Sequence, residues 1–290
     1  MVARSILAVF NGYDHELSGL NTAIALAKAS GGHVRVLHVN SIAQSYAGIF
    51  GEASVAGMGW EEEIERQNEA RLANARKMTE AVAEREGLTL DATATEGPSL
   101  FFVSLRNAYN RTLLRELSLV DLIVTSSEKG VGDILSQSVT DLALFSSRRP
   151  VLVVRPSDND APATVTGAPA VVAWNDSPEA MHALVNAAPL LGEASRVHLV
   201  TTEKGSGTEV PEDQKLALAY LAAHGIEAML HVVDTDGRQA GEAVLAKASE
   251  LSAGYVVMGA YGHSVLRESL VGGFSEYMLG ESDLPLLLSH

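Results

Sequence analysis

"PVLVVRP", residues 150–156, and "PLLLS", residues 285–289, decide how this chain is organised. Each opens on proline and runs through aliphatic residues without the polar alternation of a half-exposed strand. Strands of that kind are buried on both faces, as in a parallel sheet covered by helices. The two runs start 135 residues apart, at Pro150 and Pro285.

Working outward, four more β-rich runs precede each of them. In the first half they are "ILAVF" (6–10), "VRVLHV" (34–39), "LTLDATAT" (88–95) and "DLIVTS" (121–126). In the second they are "AVVAW" (170–174), "RVHLVT" (196–201), "IEAMLHVVD" (226–234) and "YVVMG" (255–259). Between them lie segments with helical spacing, such as Leu100, Val103, Ala108, Leu113, Leu114 and Leu117, and Val244, Leu245, Ala248 and Leu251. Strands alternating with helices predict an α/β fold built from parallel sheets. The near-constant offset predicts an internal duplication: two five-stranded Rossmann-like units in tandem. The polar, Pro-rich "PSDNDAPATVTGAP" (156–169) reads as the join. The expected division is a first domain at 1–156, a linker at 157–168 and a second domain at 169–290.

The halves differ between their second and third strands. The first inserts "AQSYAGIFGEASVAGMG" (43–59), which reads as a surface loop or a lid, and then the charged segment 60–87. There Ile64, Leu72, Ala75, Met78 and Val82 form one apolar stripe, which predicts a long helix with its charges in water.

Composition excludes several functions. The formal charge is −15 over 290 residues, with no basic cluster, which argues against nucleic acid and anionic membrane as partners. There is no cysteine, so disulfides, zinc thiolates and cysteine nucleophiles are excluded. No apolar run reaches membrane-spanning length, and the N-terminus shows no signal-peptide pattern. A cytoplasmic location is expected.

The chemistry-bearing stretch is "MGAYGHSVLRESLVGGFSE", Met258 to Glu276. Gly259 and Gly262 follow a buried strand, at the sheet end where α/β folds bind ligands. Gly272 and Gly273 precede a helix-like segment containing Ser275. Glycines let a backbone approach a ligand closely, and a helix N-terminus offers free N–H groups to phosphate. The other reading is a flexible strand-to-helix connection that binds nothing.

The spacing G-x2-G-x9-G after the fourth strand resembles the nucleotide-binding signature of the universal stress protein family. "VVAWNDSPEA" (171–180) and "DLPLLLSH" (283–290) are similar to family segments as well. The resemblance implies a five-stranded α/β sandwich, paired through its last strands with approximate two-fold symmetry, here within one chain. A further homodimer is left open. It also implies ATP as the ligand, since many members with this signature bind it. Met258, Gly259 and Gly262 match the ribose and phosphate side, His263 stands beside the phosphate path, and Gly272 matches the third glycine. Where the family usually has Ser or Thr, this chain has Gly273, with Ser275 as a second hydroxyl. Where the family usually has an adenine-binding Asp, it has Asn175 or, with local adjustment, Asp176; an Asn carbonyl accepts the same bond.

The first half departs further. Gln137, Ser138 and Thr140 stand opposite Gly272, Gly273 and Ser275, and Glu128 adds a like charge beside Lys129. Asn11 keeps the adenine-side position. That half reads as a degenerate, structural copy. Asp14, His15 and Glu16 are adjacent but read as a solvated loop end. His33, His38, His198 and His231 read as packed or edge residues rather than metal ligands. No nucleophile or general base is evident, so no catalytic residue and no metal are assigned. The leading expectation is a stress-response protein with a regulatory adenine nucleotide in its second half. The alternatives are a nucleotide-free interaction or chaperone-like protein and, below it, a slow nucleotide hydrolase.

Overall fold

The computed structural model describes residues 3–40, 60–91, 97–106, 110–127, 139–203, 211–261 and 273–290. The first half runs β1 (Ser5–Val9), α1 (Leu17–Ser30), β2 (His33–Asn40), α2 (Trp60–Glu86), β3 (Thr89–Leu90), β4 (Ser99–Arg106), α3 (Asn110–Ser118), β5 (Leu122–Ser126), a π-helical turn (Leu142–Ser147) and β6 (Val151–Val154). The second runs β7 (Ala170–Trp174), α4 (Pro178–Leu191), β8 (Val197–Glu203), α5 (Glu212–Ala223), β9 (Ala228–Asp234), α6 (Ala240–Glu250), β10 (Tyr255–Gly259), α7 (Phe274–Glu281) and β11 (Leu286–Ser289). The expected long helix is α2, with Ala75 and Val82 buried along its stripe. The expected loop 43–59 lies outside the described residues.

The eleven strands among the described residues form one sheet, in the order β3-β4-β2-β1-β5-β6-β11-β10-β7-β8-β9. Every neighbouring pair is parallel except one. β6 and β11 pair antiparallel, Val151 to Leu288, Leu152 to Leu287 and Val153 to Leu286, all six side chains buried. The order on either side of that seam is the reverse of the other, which is what a two-fold relation between halves produces. The two five-stranded units thus meet through their last strands, as the resemblance implied, and the pairing makes one continuous sheet of both.

The third strand of the first half is corrected. "LTLDATAT" (88–95) was expected there; of its described residues, 88–91, Thr89–Leu90 form a short edge strand, and 92–95 lie outside the described residues. The strand is β4, which pairs with β2 over eight residues. Leu100 and Val103, at helical spacing, thus lie on a strand. The segment "SLFFVSLR" is apolar at so many positions that both periods fit it. The Gly97-Pro98 turn and the adjacent Phe101 and Phe102 favour the strand.

Strand side chains alternate between two cores. Ile6, Ala8 and Phe10 join Leu20 and Ile24 of α1, Ala75 of α2, Leu184 of α4 and Leu221 of α5. Leu7 and Val9 join Leu117 of α3, Leu144, Val244 of α6 and Met278 of α7. Each core runs continuously through both halves. The join between them is strapped to α1: Ser157 N–H donates to Ser18 Oγ, Asn21 donates to Asp160 O, and Ala163 N–H donates to Thr22 Oγ1. Arg155, just past β6, donates to Ser127 O in the first half at 2.8 Å and to Ser282 O at 2.9 Å and Leu279 O, at the end of α7.

His38 on β2 is 2% exposed, and burial lowers its pKa to about 4, with the charge of Arg71 pushing the same way. An unfolded imidazole titrates near pH 6.5, so below that value the unfolded chain binds the extra proton and the folded chain does not. The stability this preserves is full above about pH 6.5 and is lost as pH falls toward 4, by at most about 3 kcal/mol. We expect His38→Gln to remove that part of the acid sensitivity. Parallel loss of denaturant midpoint in both proteins between about pH 7 and 4.5 would show that His38 is not its source.

Candidate functional site

At the carboxyl end of β10 the sheet meets the N-termini of α4 and α7. The β7–α4 turn is built by its own side chains. Asn175 Oδ1 accepts the Ser177 N–H at 3.2 Å, Asp176 takes a left-handed φ of 57°, and Ser177 Oγ accepts the Ala180 N–H at 3.1 Å as helix cap. Pro178 follows at the first helical position, where its missing N–H costs nothing. Asn175 itself is exposed.

Gly259 touches that helix start. A Cβ there would lie 2.6 Å from both Ala180 N and the Glu179 carbonyl carbon. The glycine is therefore needed for packing, a role the sequence alone did not reveal. Gly259→Ala would have to displace the α4 N-terminus, because the colliding atoms are backbone. We expect a loss of about 1–3 kcal/mol in stability. A thermal midpoint within error of the parent would contradict this contact.

Gly273 caps α7 with φ −85° and ψ 160°, extended backbone that any residue adopts, and a Cβ there would meet nothing within 4 Å among the described residues. Ser275 Oγ accepts the N–H of Tyr261 at 3.0 Å, tying the two flanks of the glycine stretch together. Tyr261 holds a left-handed φ of 56°, uncommon outside glycine. Burial raises its pKa, helped by the charges of Asp141 and Glu276. Its ring packs 5.4 Å from Phe145 of the first half, which also meets His290 edge-on at 4.8 Å. Met258 is fully buried. The structure thus brings Asn175, Met258, Gly259, Gly273 and Ser275 to one end of the sheet. Gly262, His263 and Gly272 lie outside the described residues.

Sequence reasoning missed Glu179, the second helical residue of α4. Its Oε2 is buried and has no hydrogen-bond partner among the described residues. Its place inside "NDSPEA", in the first turn of the helix, was the available signal.

The first half closes the same place. Asn11 is 3% exposed and Glu16 is 1% exposed. The Glu16 carboxylate accepts the Asn11 N–H at 2.6 Å, the Asn11 Nδ2 at 3.2 Å and the Tyr13 N–H at 3.2 Å, while Asn11 Oδ1 accepts from Val39 N–H. The expected solvated loop end is corrected: Asp14 is exposed, but Glu16 is buried and serves as the acceptor that organises the loop. Above it lies α2, so near that a Cβ on Gly12 would lie 2.8 Å from Ala75 N. The strand–helix approach is also reversed here. The glycine is Gly19 on α1, and the strand supplies Ser126, whose Oγ accepts the Gly19 N–H and donates to Glu16 O. Lys129, Gln137 and Ser138 lie outside the described residues.

The model of the universal stress protein family matches residues 3–155. That is more than half of the chain, and the chain belongs to this family. A universal stress protein from Archaeoglobus fulgidus DSM 4304 superposes with a TM-score of 0.66 at 17% identity, covering 98% of this chain and 97% of that one. A protein of unknown function from Pseudomonas aeruginosa PAO1 gives 0.55 at 15% identity, covering 99% and 92%. A universal stress protein solved in complex with cAMP is 16% identical, with a TM-score of 0.34, and covers 42% of this chain and 97% of its own. Among curated proteins none matches the sequence. At these identities the first two likenesses establish the fold alone. No helix among the described residues is long and apolar enough to cross a membrane, and no cluster of three or more metal-ligand side chains occurs among them.

Proposed function

We propose that this protein binds one adenine nucleotide per chain, ATP in the first place, in its second half (169–290) as a sensor or regulatory ligand. The first half (1–156) is its structural partner, joined through 157–168. The observation that carries this reading is the contrast between the two strand–helix turns. In the first half Asn11 and Glu16 satisfy each other and α2 lies over them. In the second, Asn175 is exposed and Glu179 keeps a buried oxygen without a partner among the described residues. An unsatisfied buried acceptor is costly, and a ligand hydroxyl or a ligand-borne cation relieves that cost. Gly273 at the α7 N-terminus leaves room for a Cβ among the described residues, which suits a phosphate held by helix N–H groups.

The test is stoichiometric. Purified protein, freed of carried-over nucleotide and titrated with ATP in a calorimeter, should bind one equivalent per chain. Two equivalent sites would overturn the division of labour between the halves.

A second reading, a nucleotide-free interaction protein, draws support from Gly259, whose missing side chain is already explained by α4 packing. Absence of heat at millimolar ATP, together with no nucleotide in the denatured protein, would favour it.

A further inference from the structure

At the opposite end of the strands, where β7, β8 and β9 begin, a cleft of about 580 Å³ opens beside the last turn of α6. Pro169, Met229 and Leu251 form its apolar part; Arg196, His198 and Glu250 form its polar part. The volume suits a small ligand, and the mixture of an apolar wall with a few converging polar groups is typical of such sites.

His198 is 2% exposed, and its Nδ1 lies 3.0 Å from Nε2 of His231 on the edge strand. Burial lowers the pKa of both rings. His231, Arg196 and Lys247 push His198 further down; Lys247 lowers His231 while Glu250 opposes it. The first half fills the corresponding place with its own ion pair. There Arg35 faces Phe101 in register, and its guanidinium binds Glu116 at 2.8 Å. In the second half the register pair is His198 and Met229, and the space is open.

Charge decides what the cleft takes. Arg196 has no ion pair among the described residues. Glu250 is already held by Lys247 at 2.8 Å, and Lys247 offsets the negative end of α6. With Lys247 and Glu250 offsetting each other, Arg196 leaves the surroundings of the imidazoles net positive, which disfavours a divalent cation although the ring nitrogens are close enough to chelate one. In a chain of net charge −15 the same group attracts an anion.

We propose that this cleft binds a small organic anion, a carboxylate or a phosphate monoester attached to an apolar group. The anion pairs with Arg196, and the apolar group lies on Met229 and Leu251. Negative charge beside the histidine pair favours its protonated form, so binding takes up a proton and strengthens as pH falls. This site is independent of the nucleotide reading.

The experiment titrates the protein with benzoate and, separately, with phenyl phosphate, following histidine ring signals by NMR. The two probes distinguish the carboxylate from the phosphate source. Saturable binding of either is expected, with movement of the His198 and His231 signals and tighter binding near pH 6 than near pH 8. Arg196→Ala, at an exposed position, should weaken it at least about tenfold, and His231→Gln should remove most of the pH dependence. No saturation of either probe by about 10 mM, binding unaffected by Arg196→Ala, or Zn²⁺ binding to the histidines in place of both anions would overturn the proposal.

Discussion

Gly262→Val should abolish ATP binding, weakening it by at least about 100-fold, while Gly273→Ser should tighten it by roughly tenfold. The valine argument rests on the sequence: in the glycine spacing after β10, a branched side chain fills the path along which phosphate approaches a bare backbone. The serine argument rests on the structure. Gly273 has φ −85°, and a Cβ there meets no atom within 4 Å among the described residues, so the backbone accepts a serine without strain. Its hydroxyl adds a bond to a charged phosphate, an interaction worth about 1.5–3 kcal/mol where it is made. As an N-cap it also stabilises α7 by a few tenths of a kcal/mol over glycine. Binding constants and melting midpoints for both variants separate the effects. Unchanged affinity in Gly262→Val refutes the phosphate path; weaker binding in Gly273→Ser, in a protein that melts normally, refutes its geometry.

Arg155→Ala should cost about 2–4 kcal/mol of stability with no change in the slope of denaturant unfolding. One guanidinium donates to Ser127 O on one side of the seam and to Leu279 O and Ser282 O on the other. The last two lie at the end of α7, where carbonyls lack helical partners and a positive charge is favourable. Burial lowers the Arg155 pKa, opposed by the charge of Asp283, yet an arginine stays charged, so its removal deletes a cation and strands three acceptors. Arg155→Lys supplies a point charge without the planar fork and should recover less than half of the loss. A loss below about 1 kcal/mol for the alanine variant would mean that water replaces the guanidinium at this seam.

Much of the architecture was legible because it is written in local patterns. The apolar run from Val151 to Val154, its echo at Leu286 to Leu288, and the stripe of α2 each reveal an element from neighbouring residues alone. The third strand was misread where pattern becomes ambiguous: Leu100 and Val103 satisfy a helical period, but Phe101, Phe102 and the Gly97-Pro98 turn mark a strand. The site was only half legible. Glycine positions and Asn175 are visible in the sequence, because residue type itself carries their chemistry. The partnership of Glu16 with Asn11 and the orphaned oxygen of Glu179 depend on how a helix meets a strand end. So does the exchange of Gly259 for Gly19 across the same contact. No local period encodes such an approach.

The antiparallel seam between β6 and β11 has a kinetic and evolutionary consequence. If the same surfaces belonged to two free subunits, their union would depend on protein concentration. Held in one chain, each half meets the other at an effective concentration on the order of millimolar or above, so the assembly persists under dilution. A symmetric pair of identical subunits would also carry every substitution twice. A fused pair is released from that constraint. One side can leave Asn175 at the surface while the other commits Asn11, Glu16 and Ser126 to its own interior, and the shared sheet tolerates both.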